Sequence, residues 1–555
     1  MSEQHTCRIT GEQFEITADD KSFYEKMGVP IPTISPEMRF KWRAMWRNET
    51  TLYSGQKCAL CDSAVVTMYN PKSPYTIFCY DCYWSEKWDA CEYAIDFDAS
   101  RSFIDQMKEF LQKVPKMNLG ISSGDGQNVN SEYVNMASGC KNCYLVFNTS
   151  PAEELLYSRG IRNGRDSSDI YFGTDFEKCY EGVNIQESSN ICYGKNAVGC
   201  VDSHFILNGS GLMNCFGCVN LQNKSYHFLN EPMELEEYKK KVEEILGSYE
   251  KTEAFKKEFE EFALQFPRRA TNNLKIVDST GDYLFECKNV HESFEVLSGE
   301  DCKHIFSSKN IKDSIGTTGY GTQCEKVLEV VATGYSSNTI GSFWAENSQN
   351  ILYGFQLSNC KDCIGCDGLR NAQYCIFNKQ YSQEEYEDIR STIIAELTEK
   401  KLYGLMMPPE LAPFGYNETI GQLNMPMSRE DAQQQGFRWE DDVQMTTGKE
   451  TIQPEDMPDS IQDVSDDIVK EVLRCVDCDR NYRLIPQELG LYKKLGVTLP
   501  RKCFYCRYKD RIKRRGPYKF YNRSCAKCNT GIVTNYAPDR PEKIYCEQCW
   551  RDEVI

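Results

Sequence analysis

Two pairs of cysteines in Cys-x2-Cys spacing, seventeen residues apart, occur at each end of the chain. Near the N-terminus they are Cys58, Cys61, Cys79 and Cys82; near the C-terminus they are Cys525, Cys528, Cys546 and Cys549. Thiolates at that spacing close around one tetrahedral ion, so each quartet is expected to hold a structural Zn2+ in a ribbon-like hairpin. A third quartet, Cys475, Cys478, Cys503 and Cys506, spans twenty-four residues between its pairs and runs straight into a helix, as in a treble-clef finger. Three structural zinc sites follow. An all-cysteine site leaves no coordination position open for substrate.

A related unit precedes the N-terminal ribbon. Matching LYKKLGVTLP (491–500) to FYEKMGVPIP (23–32) puts Cys475 on Cys7. The other three ligands fall on Thr10, Ser35 and Met38, which bind no zinc. This copy is expected to keep the fold without metal, held by Phe40, Trp42 and Trp46.

After Cys506 the chain turns basic. From Arg501 to Lys527 it carries eleven Lys/Arg and one acid, Asp510, interleaved with aromatic residues. Cations neutralise phosphate and rings stack on unpaired bases, which makes RNA or single-stranded nucleic acid the expected partner. The phosphate contacts would be Lys502, Arg507, Lys509, Arg511, Lys513, Arg514 and Arg515. The stacking platforms would be Tyr505, Tyr508, Tyr518 and Tyr521. The competing reading is a patch that binds acid elsewhere in the same protein. One source is residues 439–471, with eleven acids and two lysines, which read as a flexible linker.

Other chemistry finds little support. Asp166, Asp169, Asp175 and Glu177 are near one another in sequence and are the candidates for a carbohydrate-active enzyme. His204, His227, His291 and His304 have no triad or ligand context, and no phosphate loop or nucleophile motif occurs. No catalytic residue and no organic cofactor are assigned, so the balance lies against an enzyme.

The elements that must position these residues differ between the ends and the middle. From about 118 to 378, helical periodicity gives way to short apolar pieces that follow an Asn or Asp, such as NCYLVF (142–147), DIYFG (169–173), NICYG (190–194) and NCFGC (214–218). Their starts are 27, 21 and 24 residues apart, and later pieces at 338, 350 and 362 repeat at 12. This pattern predicts a right-handed parallel β-solenoid with cysteines in its inward columns, the drop to 12 leaving half-coils or a sandwich as the alternatives. NCFGCVNLQNKSYHFLNEPMELEEY (214–238) recurs as DCIGCDGLRNAQYCIFNKQYSQEEY (362–386), and each copy enters an amphipathic helix, about 234–265 and 383–401. These helices would cap exposed coil edges.

The expected organisation is therefore mainly β. A metal-free treble-clef-like finger (1–57), a zinc ribbon (58–92) and a connecting helix (93–117) come first. Solenoid half one (118–230), a helical cap (231–267), solenoid half two (268–378) and a capping helix (379–402) form the middle. A Pro-rich then acidic linker (403–471), a zinc finger (472–524) and a ribbon (525–555) complete the chain. The 555 residues, 40% hydrophobic and 26% charged, are ample for such globular units. A net charge of −18 argues against uniform coating of nucleic acid or an anionic membrane. With no secretory signal or membrane span in view, a cytoplasmic location is expected, where the 28 cysteines stay reduced. The solenoid is the expected surface for a protein partner or self-association, and a purely structural scaffold is the alternative to nucleic-acid binding.

The motif order resembles an uncharacterised group of bacterial zinc-ribbon proteins, seen chiefly in reduced genomes. The resemblance rests on FYEKMGVPIPT, KCALC…FCYDCYWSEKWD, SEYVNMASGCKNCYLVF and LAPFGYNETIGQLNMP, and spans nearly the whole chain. It implies the zinc-module and β-solenoid architecture and brings no established activity. Members tend to carry a complete quartet in the first finger, from which Thr10, Ser35 and Met38 depart.

Overall fold

The middle of the chain is built on a three-residue rule. In the computed structural model, which describes residues 2–121, 126–443 and 445–554, non-glycine residues with left-handed backbone recur at every third position. Asn184, Glu187, Asn190, Tyr193 and Asn196, for example, have φ between 47° and 62°. The residue after each such corner is buried, giving Ile185, Ser188, Ile191 and Ala197. Asn and Asp are favoured at the corners because their short polar side chains tolerate the left-handed region.

Four triplets make one step of a parallel ladder. The register runs Ser168↔Tyr180↔Cys192↔His204↔Phe216↔Phe228, always twelve residues on. Corner asparagines bond along the ladder at the same interval, Asn184 to Asn196 to Asn208 to Asn220, at 2.9–3.0 Å. The intervals of 27, 21 and 24 are all multiples of three, so their drift is choice of triplet rather than loss of register.

The buried positions that follow the corners are closely packed, and this selects the residues there. Val146, Ile170, Cys179, Ile191, Cys200 and Cys215 share one buried cluster. A Cβ on Gly164 would lie 2.5 Å from Ile161 Cγ2 and 2.7 Å from Phe176 Cζ, so glycine makes room for the ring. Interior serines tie consecutive steps: Ser203 donates to the Val201 carbonyl at 2.8 Å and accepts from the Cys215 amide at 3.1 Å. Cysteine is a slightly larger member of the same class. The Cys215 thiol contacts the carbonyls of Met213 at 3.6 Å and Lys224 at 3.5 Å.

Two large sheets of this kind are present, parallel except where an end strand folds back, as at Phe228↔Glu231 and Ile376↔Lys379. In the second, the pairing Ser314↔Val327 adds one residue to the step, and the buried positions shift phase from Ile311 to Cys324.

The chain divides into two compact units. One comprises 1–119 and 271–443, the other 120–270 and 444–555. Each terminal module thus belongs to a unit with the ladder farther from it in sequence. In the second unit, the expected helix at 234–265 is two, Leu235–Leu246 and Tyr249–Ala263, divided at Gly247 where Ser248 caps the next helix. Phe255 packs on Phe205, Phe216 and Phe228 at the ladder end. In the first unit, Gln383–Glu399 starts from a capping box at Ser382 and Glu385 and buries Tyr386, Ile393 and Leu397. The connecting helix is Phe103–Lys113, with Phe103 stacked on Phe377.

The stretch 403–471 is not the free tether expected of it. Leu405, Met407, Phe414 and Tyr416 are buried in the first unit. Met457, Ile461, Val464 and Ile468 join the cluster around Leu489 and Tyr492 in the second. Short 3-10 turns such as Ile461–Asp463 and Asp466–Lys470 carry these residues, so their spacing has neither helix nor strand period. Among the described residues, no helix is long and apolar enough to cross a membrane.

Candidate metal centres and the arginine helices

Each expected quartet converges. The four sulfurs of Cys58, Cys61, Cys79 and Cys82 lie within 4.8 Å of one another, as do those of the 475/478/503/506 and 525/528/546/549 groups. The sulfurs of Cys61 and Cys79 lie 3.8 Å apart, and those of Cys478 and Cys503 and of Cys528 and Cys546 lie 3.7 Å apart. A tetrahedral ion with Zn–S bonds of about 2.3 Å has edges of about 3.8 Å. The donor sets therefore fit a thiolate-bound metal.

The local sequence makes this geometry. The residue after the second cysteine, Asp62, Asp479 or Asn529, has φ of 58–61°, which lets the knuckle turn back on itself. Amide hydrogens then point at sulfur: Cys79 N–H donates to Cys58 Sγ at 3.2 Å, and Cys546 N–H to Cys525 Sγ at 3.3 Å. Hydrogen bonding with the side chain and backbone of Ser63 and of Thr530 brings the Cys61 and Cys528 thiols down to about 6. Donors aimed at sulfur favour thiolate, the form that binds metal.

The first finger keeps the knuckle with other residues. Cys7 N–H donates to the Glu12 carbonyl at 2.8 Å, and Gly11, at φ 73°, makes the turn that Asp479 makes in the other copy. Ser35 stands where Cys503 does, with nearly the same backbone, and its hydroxyl accepts from the Met38 amide at 3.4 Å. A ligand position has become a helix cap. Phe40, Trp42 and Trp46 are buried. Phe40 lies 4.2 Å from the Phe306 ring, and Trp46 donates to the Met407 carbonyl at 3.0 Å.

Arginines recur at intervals of four along the helix after each finger and, in the first copy, just past its end: Arg39, Arg43 and Arg47 in one copy, Arg507, Arg511 and Arg515 in the other. All six are buried. In the first unit Arg39 and Arg43 share Glu329, the former at 3.0 Å, while Arg39 also donates to the Tyr24 hydroxyl at 2.9 Å. In the second, Arg507 and Arg511 share Asp169, the former at 3.1 Å. Arg515 donates to the Tyr171 hydroxyl at 2.9 Å. Glu488 accepts from Tyr157 and Tyr492, both at 2.7 Å. Both shared acids occupy left-handed ladder corners, Asp169 at φ 61° and Glu329 at φ 53°. Glycines clear the approach: a Cβ on Gly319 would lie 2.1 Å from Arg47 Nη1, and one on Gly316 would lie 2.7 Å from Arg43 Nη1.

The electrostatics follow from burial and pairing. Burial opposes ionisation of Asp169, yet Arg507 and Arg511 hold its carboxyl below the usual range. Burial raises Glu488 in spite of Arg507 and two tyrosine donors.

This corrects the expected nucleic-acid surface. Arg507, Arg511, Arg515, Tyr508 and Tyr518 are buried and offer no exposed face. Lys509 and Lys513 are exposed; Lys502, Arg514, Tyr505 and Tyr521 are half-buried. Lys502 is paired with Asp477 and Asp510 at 2.8 and 2.9 Å, and the Arg480 guanidinium lies 4.1 Å over Tyr505. The carboxylate group also disperses. Asp169 holds arginines, Asp166 pairs with Lys494, Asp175 accepts from Asn163 at 3.0 Å, and Glu177 faces Arg165 at 3.7 Å.

The arginine repeat was visible in the same alignment that paired the cysteines. Arg39, Arg43 and Arg47 fall on Arg507, Arg511 and Arg515, and Asp20 and Tyr24 fall on Glu488 and Tyr492. A run of cations alone cannot say whether it faces water or a buried acid; the repeated four-residue spacing in both copies was the available clue. No family model matches the chain, and no curated protein is significantly similar to it.

Proposed function

We propose that the protein is a zinc-braced scaffold acting in the cytoplasm. Three structural zinc ions would occupy the cysteine quartets, and the twelve-residue ladders would be the coils of two right-handed β-solenoid halves. The reading is carried by one observation: in both units the strongest basic face of a terminal module is buried against an acid at a ladder corner. Such a helix serves cohesion within the unit and leaves the outer ladder faces for a protein partner or a second copy. The closed donor sets supply folding energy rather than a reactive metal.

Metal analysis of the purified full chain tests this, with chelation followed by circular dichroism. Three zinc ions per chain and loss of structure on chelation are expected. Fewer than three ions, or an unchanged melting curve after their removal, would overturn it.

Contact with RNA or single-stranded nucleic acid is a second reading. It rests on the bases that remain at the surface of the last module, Lys509 and Lys513, with Lys502 and Arg514 at its edge. Salt-independent or absent binding to a single-stranded oligonucleotide would remove it.

A further inference from the structure

The second unit contains a cleft of about 660 Å³ between the helix Tyr249–Ala263, the ladder around Tyr193 and Phe205, and the last finger and ribbon. That volume lies in the range of small-molecule sites. Ten Lys or Arg side chains line it against five acids. Four of the acids are paired: Asp510 with Lys502, Glu542 with Arg540, Glu253 with Lys256, and Glu181 with Arg514. Glu260 is the fifth. Set against it, Lys257, Arg268, Arg501 and Lys513 make no ion pair among the described residues.

Arg268 is the most informative of these. It is 6% exposed and lies on a two-residue strand paired with Ile544–Tyr545, so its position is fixed by backbone hydrogen bonds. Its guanidinium donates to one backbone carbonyl, that of Phe266, at 3.1 Å. Burial depresses its affinity for the proton, with only partial relief from Tyr536 and Glu542. A buried cation without a paired carboxylate is costly, by several kcal/mol. Such a charge is kept where an anion from outside completes it. The cleft is also lined by Tyr193, Phe205, Phe259 and Tyr249, the last with the Arg501 guanidinium 3.9 Å over its ring.

We infer that this cleft binds a nucleoside phosphate, its phosphate against Arg268 and the other cations of the lining and its base against the aromatic residues of the lining. The ligand is a free nucleotide or one nucleotide of a single strand, which present the same chemistry. The inference rests on the cleft alone and stands apart from the scaffold reading, since zinc content does not bear on it.

The test is calorimetric titration of the full chain at low salt with adenosine 5′-monophosphate, adenosine, inorganic phosphate and a short single-stranded oligonucleotide. Adenosine monophosphate is expected to bind at least tenfold more tightly than adenosine or phosphate. Similar affinity for the oligonucleotide per site would identify a strand as the source, and much weaker affinity a free nucleotide. Lys257→Ala and Lys513→Ala, both at exposed positions, should each weaken binding severalfold and flatten its salt dependence. Arg268→Gln should abolish binding without lowering the melting temperature of the ligand-free protein, because it removes an uncompensated charge. No binding by the monophosphate or the oligonucleotide at millimolar concentration would overturn the inference. So would affinity unchanged in all three variants, or an Arg268→Gln protein that melts lower and binds normally.

Discussion

The two fingers differ in three of four metal-binding positions and agree in almost everything that docks them. Cys478, Cys503 and Cys506 of one are Thr10, Ser35 and Met38 of the other, yet both end in a helix whose buried arginines share one acid of a ladder corner. The knuckle turn persists with Gly11 in place of Asp479. The ion pairs are therefore the common fastening, and the complete cysteine quartet belongs to one copy alone. What the comparison teaches is a division of labour: the quartet closes a small module that buries little by itself, whereas the arginine helix joins it to its ladder.

The largest effect expected from that division is on the metal. Cys503→Ser copies the residue of the other finger and should reduce the zinc count from three to two. Structural zinc contributes on the order of 10 kcal/mol to such modules, so residues 475–515 should lose protection in hydrogen exchange. Cys7→Ser should leave the count and the exchange pattern unchanged. Equal losses from the two substitutions would break the comparison. Replacing Thr10, Ser35 and Met38 together by cysteine should add a fourth zinc and so sharpen it.

Next in size are the shared acids. Asp169→Ala leaves Arg507 and Arg511 buried without their carboxylate, and Glu329→Ala does the same to Arg39 and Arg43. Removing one partner of a buried pair costs about 3–5 kcal/mol, readable as a fall in the urea midpoint of the affected unit. The two losses should be similar, although only one of the fingers has a quartet. A loss at Asp169 alone would mean that the first finger is fastened otherwise.

Much of this was legible from residue types and spacing. The quartets were, because a metal imposes the same four positions wherever it binds. The ladders were legible through Asn142-Cys143, Asp169-Ile170 and Asn190-Ile191, each a corner followed by a core residue. Their three-residue rule was not, because interior places alternate among Gly, Ser, Cys, Ala and Phe, as at Gly164, Ser167 and Phe176, and hydropathy alone does not join them. The buried fate of Arg507, Arg511 and Arg515 was hidden for a different reason. Charge in a sequence carries no sign of its surroundings, and Asp169, the acid that Arg507 and Arg511 share, lies more than three hundred residues away. The acidic stretch misled for the converse reason, since Met457, Ile461 and Val464 are spaced on 3-10 turns among exposed carboxylates.

A smaller effect is the pH dependence of the Asp169 pair. Its folded carboxyl is held below the ordinary value of about 3.9. The pair's contribution is thus complete above about pH 4 and lost as pH falls through the folded value. Glu488, raised by burial, works in the opposite direction as pH rises. Comparing wild type with Asp169→Asn isolates the first term, because loss of zinc in acid affects both alike. The stability gap between them should be widest near pH 6 and narrow below pH 4. A gap that stays constant from pH 6 to pH 3 would show that the charge on Asp169 contributes nothing and that its hydrogen bonds alone do.

The smallest effect tests what Ser35 acquired in place of a ligand. Its hydroxyl accepts from the Met38 amide at 3.4 Å, while Cys503 makes no such side-chain cap bond. Capping by serine is worth about 1 kcal/mol over alanine, so Ser35→Ala should lower the stability of the first unit by roughly that amount and leave zinc at three. Ser35→Thr should retain most of the stability, since the hydroxyl remains. Ser35→Cys should behave like alanine, because one added thiol among Thr10 and Met38 completes no quartet. If Ser35→Cys instead raised the zinc count, the first finger would still be a metal site short of one ligand, and the equivalence of docking in the two copies would no longer explain why it folds.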